Sequence, residues 1–383
     1  MKEYKLIATA ASGIEALVGR ELKDLGIPCE VENGRAIFHG DLETIGKANL
    51  WLRTADRIKI VIGEFEAITF ESLFDQVKEL PWEDFLPMDA EFPVSGKSIK
   101  STLFSVSDCQ ALTKKAIVNR LSDYYSRYGR LPETGAKFPI EIALLKDKVT
   151  ITLDTTGSSL FKRGYRLEKG GAPLKENMAA AIISLTTWRN NRPFYDPVCG
   201  SGTFCIEAAL MGRNIAPGLQ RDFLFEDWPW VDDSIMLELR KEAKAAINHE
   251  VELDILGTDI DHKMIEIAKE NAKAAGVADD ISFKQMQLKD FTTTKEYGVI
   301  VANPPYGERL GEEEEARKIY RQMGKVYKKL DTWSVYVLTS DLHFETYYNS
   351  KATKKRKLYN GAIRTDLFQY WGKRPPRVKR EEA

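Results

Sequence analysis

Short apolar bursts alternate with amphipathic stretches over the first 156 residues. The pattern predicts a strand at Tyr4–Ala8, a helix at Gly13–Leu25, and strands at Pro28–Glu32 and Arg35–His39 on either side of the turn-forming Asn33-Gly34. A helix at Asp41–Leu50 and a strand at Arg57–Glu64 follow. That βαββαβ order is ferredoxin-like. A helical period returns over Phe70–Leu80, and FPVSGKSIKST reads as a strand. An amphipathic helix opens at Ser107, with Ala111, Ala116, Ile117 and Leu121 on its inner side and Lys114, Lys115 and Arg120 outside. Two strands, FPIEIALLK and KVTITLDTT, close this part near Thr156.

Residues 158–176, SSLFKRGYRLEKGGAPLKE, read as a linker or latch, with Lys162, Arg163 and Arg166 beside Phe161 and Tyr165 and a helix-breaking Gly170-Gly171. From Glu176 helices alternate with short apolar strands: FYD (194–196), ILGTD (255–259), ISFKQ (281–285), VIVA (299–302) and SVYVLT (334–339). Strands alternating with helices of ten or more residues imply a doubly wound parallel sheet. The final pair, KKRKLY and AIRTDLFQYW around Asn360-Gly361, predicts a terminal antiparallel hairpin. The expected division is therefore 1–65, 66–157 and 158–383, an α+β N-terminal module in two parts followed by an α/β domain.

Composition narrows the class. A 383-residue chain with 43% hydrophobic and 30% charged residues is an ordinary globular protein of two or three domains. It has no apolar run long enough to span a membrane, and its N-terminus does not read as a signal peptide. The four cysteines form no CxxC pair and, with four scattered histidines, give no metal-ligand spacing. Reduced thiols in a cytoplasmic protein are the expectation. The net charge of −1 conceals an asymmetry: residues 1–94 carry 10 Lys/Arg against 18 Asp/Glu, and residues 95–138 carry 8 against 3. Lys97, Lys100, Lys114, Lys115 and Arg120 fall in that basic stretch. Two more clusters stand at 351–357 and 373–380. Local basic patches on a neutral chain suit an anionic partner at a defined place, although any one of them could simply solvate a surface.

The candidate chemistry sits at strand ends. FYD leads into DPVCGSGTF, where Gly200 and Gly202 let the backbone approach a ligand and a helix start points N–H groups at it. A dinucleotide fingerprint would carry glycine where Cys205 stands, and no Walker lysine is present. Asp259 ends the next strand, where an acid can accept both ribose hydroxyls. Asp290 follows the third and could accept from an adenine amino group, while Asp261 reads as the cap of the helix after Asp259. The implied ligand is a nucleoside without a pyrophosphate. At the fourth strand end comes NPPY, 303–306: two prolines force a stiff loop carrying the Asn303 amide, acceptor carbonyls and the Tyr306 ring.

These strand ends resemble the class I S-adenosylmethionine-dependent methyltransferases that act on amines. LFKRGYR (160–166), APLKENMAAAI (172–182), DPVCGSGTFCIEAA (196–209) and YNGAIRTDLFQYW (359–371) resemble the THUMP-domain RNA methyltransferases, among them the bacterial 23S rRNA guanine-N2 enzymes. The resemblance implies a ferredoxin-like plus THUMP RNA-binding module before a Rossmann-like methyltransferase domain. It implies that Asp196, Pro197, Cys199, Gly200, Ser201, Gly202, Thr203, Asp259, Ile260, Asp290 and Asn303 bind the cofactor S-adenosylmethionine. Asn303, Pro304, Pro305 and Tyr306 would be catalytic. Lys97, Lys100, Lys114, Lys115, Arg120, Lys162, Arg163 and Arg166 are the expected RNA contacts. NPPY alone does not choose among adenine, cytosine and guanine, and tRNA stays open beside rRNA as the substrate. A non-catalytic RNA-binding assembly factor is the alternative of a different class.

Overall fold

The computed structural model describes residues 2–127, 130–166, 174–306, 313–361 and 363–376. The chain divides into two compact units: one takes 1–10, 18–160 and 221–242, the other 11–17, 161–220 and 243–383.

The first unit is built on one seven-stranded sheet. Its elements are β1 (Tyr4–Thr9), α1 (Glu15–Asp24), β2 (Cys29–Glu32), β3 (Arg35–Gly40), α2 (Leu42–Trp51), β4 (Arg57–Glu66), α3 (Phe70–Glu79), β5 (Val94–Ile99), α4 (Val106–Tyr124), β6 (Ile140–Leu145) and β7 (Lys148–Asp154). Strand order is β2-β3-β1-β4-β7-β6-β5. The ten-residue β4 is the joint: its start pairs with β1 and most of its length with β7, with an irregularity between Val61 and Gly63. The ferredoxin-like part and the following strands thus share a continuous hydrogen-bond ladder rather than standing as two sheets. Helix α4 corrects one expectation. Its buried residues are Cys109, Thr113, Ala116, Ile117 and Leu121, and Ala111 is exposed.

Residues 221–242 interrupt the second half of the sequence yet pack in the first unit. Trp228 stacks on Phe138, its ring 5.0 Å away at 15°, and its indole N–H donates to the Lys137 carbonyl at 3.0 Å. The Trp230 indole donates to the Phe85 carbonyl at 3.0 Å. Gly46 on α2 makes room for Leu239, whose Cδ1 would lie 2.6 Å from a Cβ there. Sequence periodicity did not separate this excursion from its surroundings.

The second unit carries α5 (Glu176–Leu185), β8 (Phe194–Asp196), α6 (Thr203–Gly212), the end of α7 (Asp233–Ala245), β9 (Ile255–Asp259), α8 (His262–Ala274), β10 (Ile281–Gln285), β11 (Val299–Ala302), α9 (Glu313–Tyr327), β12 (Ser334–Thr339), α10 (Phe344–Tyr348), β13 (Lys354–Asn360) and β14 (Ile363–Tyr370). Strand order is β10-β9-β8-β11-β12-β14-β13. The first five of these run parallel, and β14 slots antiparallel between β12 and β13. The doubly wound sheet and its terminal hairpin are as the sequence implies. The helix break at Gly170-Gly171 and the last residues of the 373–380 cluster lie outside the described residues.

Candidate active site

Strand order reverses between β8 and β11, and a crevice opens at such a switch point beyond the carboxyl ends of the strands. Asp196 ends β8 fully buried and accepts from the Val198 amide at 3.1 Å. Burial pushes its carboxyl well above the usual range, and the negative charge of Asp259 adds to the shift. The turn is tied to β9 by Cys199 N donating to the Thr258 carbonyl at 2.9 Å, and closed by Gly202 N donating to the Cys199 carbonyl at 2.9 Å.

The two glycines do different work. Gly202, at φ +82°, admits no side chain: a Cβ would lie 2.9 Å from the Phe283 ring and 3.0 Å from Ala268 Cβ. Gly200, at φ +50°, faces open space, with nothing within 4 Å of a Cβ position. Helix α6 starts directly after, so its free N–H groups and positive dipole end border that space. The residues present therefore fit a ligand that needs close backbone approach.

Asp259 closes the other side. Its Oδ2 accepts from Gly200 N at 2.9 Å and its Oδ1 from Asp261 N at 2.9 Å. A carboxylate has about four lone-pair sites, so each oxygen keeps capacity for a ribose hydroxyl. Asp261 caps α8 through the Lys263 amide at 2.8 Å, as its position implied. Ile260 is exposed beside Asp259, and Asp290 is exposed at the end of the short turn after β10.

At the fourth strand end Asn303 and Tyr306 are half-buried, Pro304 is buried and Pro305 exposed. The Tyr306 hydroxyl donates to Asn303 Oδ1 at 2.6 Å. Beneath them Tyr320 on α9, fully buried, donates to the Pro305 carbonyl at 3.0 Å and lies 3.0 Å from the Thr339 hydroxyl at the end of β12. Burial pushes the Tyr320 hydroxyl up to about 12, so it stays a donor at neutral pH. Neither Tyr320 nor Thr339 was among the residues singled out in the sequence; each lies inside an element with no local mark of this role.

Several basic residues expected to meet RNA are paired within the fold, and one of them, Arg163, is buried. Arg163 is 3% exposed and faces Glu207 of α6, itself 0% exposed, at 3.5 Å. The Tyr165 hydroxyl donates to the same Glu207 oxygen at 3.1 Å. Arg166 donates to the Thr203 hydroxyl at 2.9 Å and the Leu174 carbonyl at 3.1 Å, and faces Glu176 at 3.5 Å. These two arginines brace α6 under the glycine turn; the burial of Arg163 corrects its assignment as a phosphate contact, while Arg166 is half-buried, with its side chain 19% exposed. Lys114 lies 3.5 Å from the centre of the Phe92 ring and donates to Glu133 at 2.7 Å. Arg120 grips Glu83 through two nitrogens at 2.9 and 2.5 Å. Lys97 pairs with Glu141 at 3.0 Å but stays exposed, as do Lys100, Lys115 and Lys162.

Cys199 and Cys205 beside the turn are buried, and burial pushes both thiols well above their ordinary range, so neither offers a thiolate nucleophile. Among the described residues no His/Cys/Asp/Glu group could hold a metal ion, and no helix is long and apolar enough to cross a membrane.

A parallel sheet closed by an antiparallel hairpin, with a glycine turn, a strand-end acid and NPPY in order around its switch point, defines a class I methyltransferase. Residues 163–369 match the family model of the RMKL-like methyltransferase domain, residues 5–59 that of the RlmL ferredoxin-like domain and residues 67–154 that of the THUMP domain. The Bacillus subtilis protein named "Putative RNA methyltransferase YpsC" is 56% identical over the whole of both chains. A "Ribosomal RNA large subunit methyltransferase K/L" of Syntrophotalea carbinolica is 34% identical over 96% of this chain, which spans 53% of that longer protein. Two solved structures each superpose with a TM-score of 0.93. One, from Listeria monocytogenes and described as a "predicted N6-adenine-specific DNA methylase", is 60% identical, with 97% of each chain covered. The other, a "putative methyltransferase complexed with SAH", is 54% identical over 98% of this chain and all of that one. The chain belongs to the RMKL-like methyltransferase family, with an RlmL-type ferredoxin-like and THUMP module before the catalytic domain.

Proposed function

We propose that this chain methylates the exocyclic N2 amine of a guanine in RNA, with 23S rRNA the first candidate substrate and tRNA the second. The observation that carries the reaction type is the rigid Asn303–Tyr306 loop at the end of β11, facing the same crevice as the glycine turn. The RNA assignment is supported by the THUMP match and by what the named relatives are said to act on. Asp259 would take the ribose, and residues 196–203 the methionine end, of S-adenosylmethionine, whose sulfonium methyl is the group transferred.

An exocyclic amine is a poor nucleophile because its lone pair is delocalised into the ring. Asn303 Oδ1 and the Pro304 carbonyl would accept its two N–H bonds. That turns the lone pair toward the methyl and stabilises the charge that develops on nitrogen as the new N–C bond forms and the C–S bond breaks. The extra proton then leaves to water. Tyr306 would stack on the extruded base. The Tyr306 hydroxyl donates to Asn303 Oδ1, so an amine bound there would exchange one hydrogen bond for another.

Adenine N6 is the second reading, favoured by the description of the Listeria structure. The deciding experiment is mass spectrometry of rRNA and tRNA nucleosides from a strain lacking the gene, followed by methylation of that RNA with the purified chain. A missing N2-methylguanine restored in vitro supports the proposal, whereas a missing N6-methyladenine replaces it. For the cofactor, Asp259→Ala should weaken S-adenosylmethionine binding by about 1–3 kcal/mol through lost charge-assisted bonds. Unchanged calorimetric affinity in a folded variant would remove the ribose assignment.

A further inference from the structure

Helix α9 carries four cations on one face. Arg317, Arg321, Lys325 and Lys328 follow at i, i+4, i+8 and i+11, Lys328 just past the last helical residue. At about 1.5 Å per residue the stripe covers roughly 16 Å. From Arg321 to Lys328 it forms one wall of a groove of 480 Å³ whose other wall is the end of α10 and the residue after it, Thr346–Asn349. Gly324 lets the two walls meet, since a Cβ there would lie 2.1 Å from the Tyr348 carbonyl oxygen.

Charge and aromatic surface coincide in the groove. The guanidinium groups of Arg317 and Arg321 lie 4.9 and 5.1 Å from the centre of the Tyr347 ring. Glu313 and Asp341 face Arg317 at 3.3 and 3.7 Å, and Glu314 holds Arg321 at 2.7 Å. Lys325 and Lys328 are exposed and have no acidic partner among the described residues; the Lys328 ammonium donates to the Asn349 carbonyl. The negative field at the end of a helix favours lysines there, but that does not align them along one groove with an aromatic. Cations tracking a groove beside an aromatic suit a nucleic-acid strand. The same helix holds the Pro305 carbonyl through Tyr320, so a strand bound along it is fixed relative to the NPPY loop.

We propose that the α9–α10 groove docks the phosphate backbone of the RNA strand flanking the target nucleotide. The proposal rests on the reading that the substrate is RNA. It places an RNA contact on the catalytic unit itself, in addition to any on the THUMP module.

The test uses the full chain and a fluorescein-labelled mixed-sequence RNA stem–loop, because phosphate contacts are independent of sequence. The double variant Lys325→Glu/Lys328→Glu should lose tenfold or more in affinity. Its log-affinity against log-salt slope should flatten by about 1.5, at about 0.7–0.9 for each phosphate no longer neutralised. Lys325→Gln/Lys328→Gln, which removes charge without reversing it, should show the same flattening with a smaller loss. Calorimetry with S-adenosylmethionine checks that both variants are folded. RNA affinity and slope unchanged in a folded variant overturn the proposal. So does a labelled poly-glutamate peptide that loses binding in the variants while RNA does not, which would assign the groove to an acidic protein segment. Binding is read without turnover, so failure of the guanine-N2 reading leaves a positive result standing, and an unchanged affinity leaves that reading untouched.

Discussion

Replacing Asn303 with alanine should slow methyl transfer by about a hundred- to a thousandfold, because losing one oriented transition-state hydrogen-bonding group costs about 2.7–4 kcal/mol. Cofactor affinity should change far less than turnover if Asn303 meets the base, as proposed; a large loss of S-adenosylmethionine binding would instead bear out its expected place in the cofactor site. The Tyr306 series separates ring from hydroxyl. Tyr306→Ala should cost about 1–3 kcal/mol through lost stacking. Tyr306→Phe keeps the ring and removes the hydroxyl that donates to Asn303 Oδ1. A neutral hydrogen bond is worth a net ~0.5–1.5 kcal/mol, and in the proposed reaction the incoming amine would replace it, so this variant should stay near wild type. Single-turnover methylation at saturating cofactor gives the order: Asn303→Ala slowest, Tyr306→Ala next, Tyr306→Phe fastest. Wild-type turnover by Asn303→Ala would reduce the loop to a turn with no part in the chemistry.

The other large effect is on stability. Arg163→Ala leaves Glu207 buried with its cation gone. One Glu207 oxygen already has no hydrogen-bond partner among the described residues, so the Tyr165 hydroxyl alone cannot offset the charge. Breaking a buried pair from one side costs about 3–5 kcal/mol. The urea midpoint should fall accordingly, and α6 should loosen under the glycine turn. Arg163→Met combined with Glu207→Leu removes both charges and should recover most of the loss, because apolar replacement of a buried pair is often neutral or better. A stable Arg163→Ala chain that instead binds RNA poorly would restore the sequence-based view of this arginine.

The inward turn of Arg163 has a long-range cause. Lys162, Arg163 and Arg166 look alike in the string KRGYR, and a basic cluster beside aromatics is a fair nucleic-acid signature. What turns Arg163 inward is Glu207, which lies 44 residues later. One clue was available: Glu207 is the sole charge in the ten residues of α6, TFCIEAALMG. A lone acid in a helix apolar on every side needs a buried cation or a hydroxyl. The strands of the second unit were easier, because an apolar run between helices leaves few alternatives, and the order of glycine turn, acid and NPPY fixes the crevice they share. Burial direction on α4 was harder. Lys114 and Arg120 sit where period alone puts an outer face, but Phe92 and Glu83 come from elsewhere in the fold to meet them. Tyr320 is invisible for the same reason, since its partners are a loop carbonyl and a threonine in separate elements.

The 221–242 excursion sets a timetable for synthesis. The first unit cannot complete its packing when residue 160 has been made, because Trp228, Trp230 and Leu239 have not yet been translated. About 80 further residues must be added, roughly 4–16 s at typical elongation rates. Over that interval Phe138 and the space at Gly46 lack their covering side chains. The nascent sheet is left with uncovered apolar surface while residues 161–220 of the catalytic unit are being made. A ribosome stalled between codons 160 and 242 would therefore hold a module not yet closed, and a gene cut at that boundary would encode one that never closes.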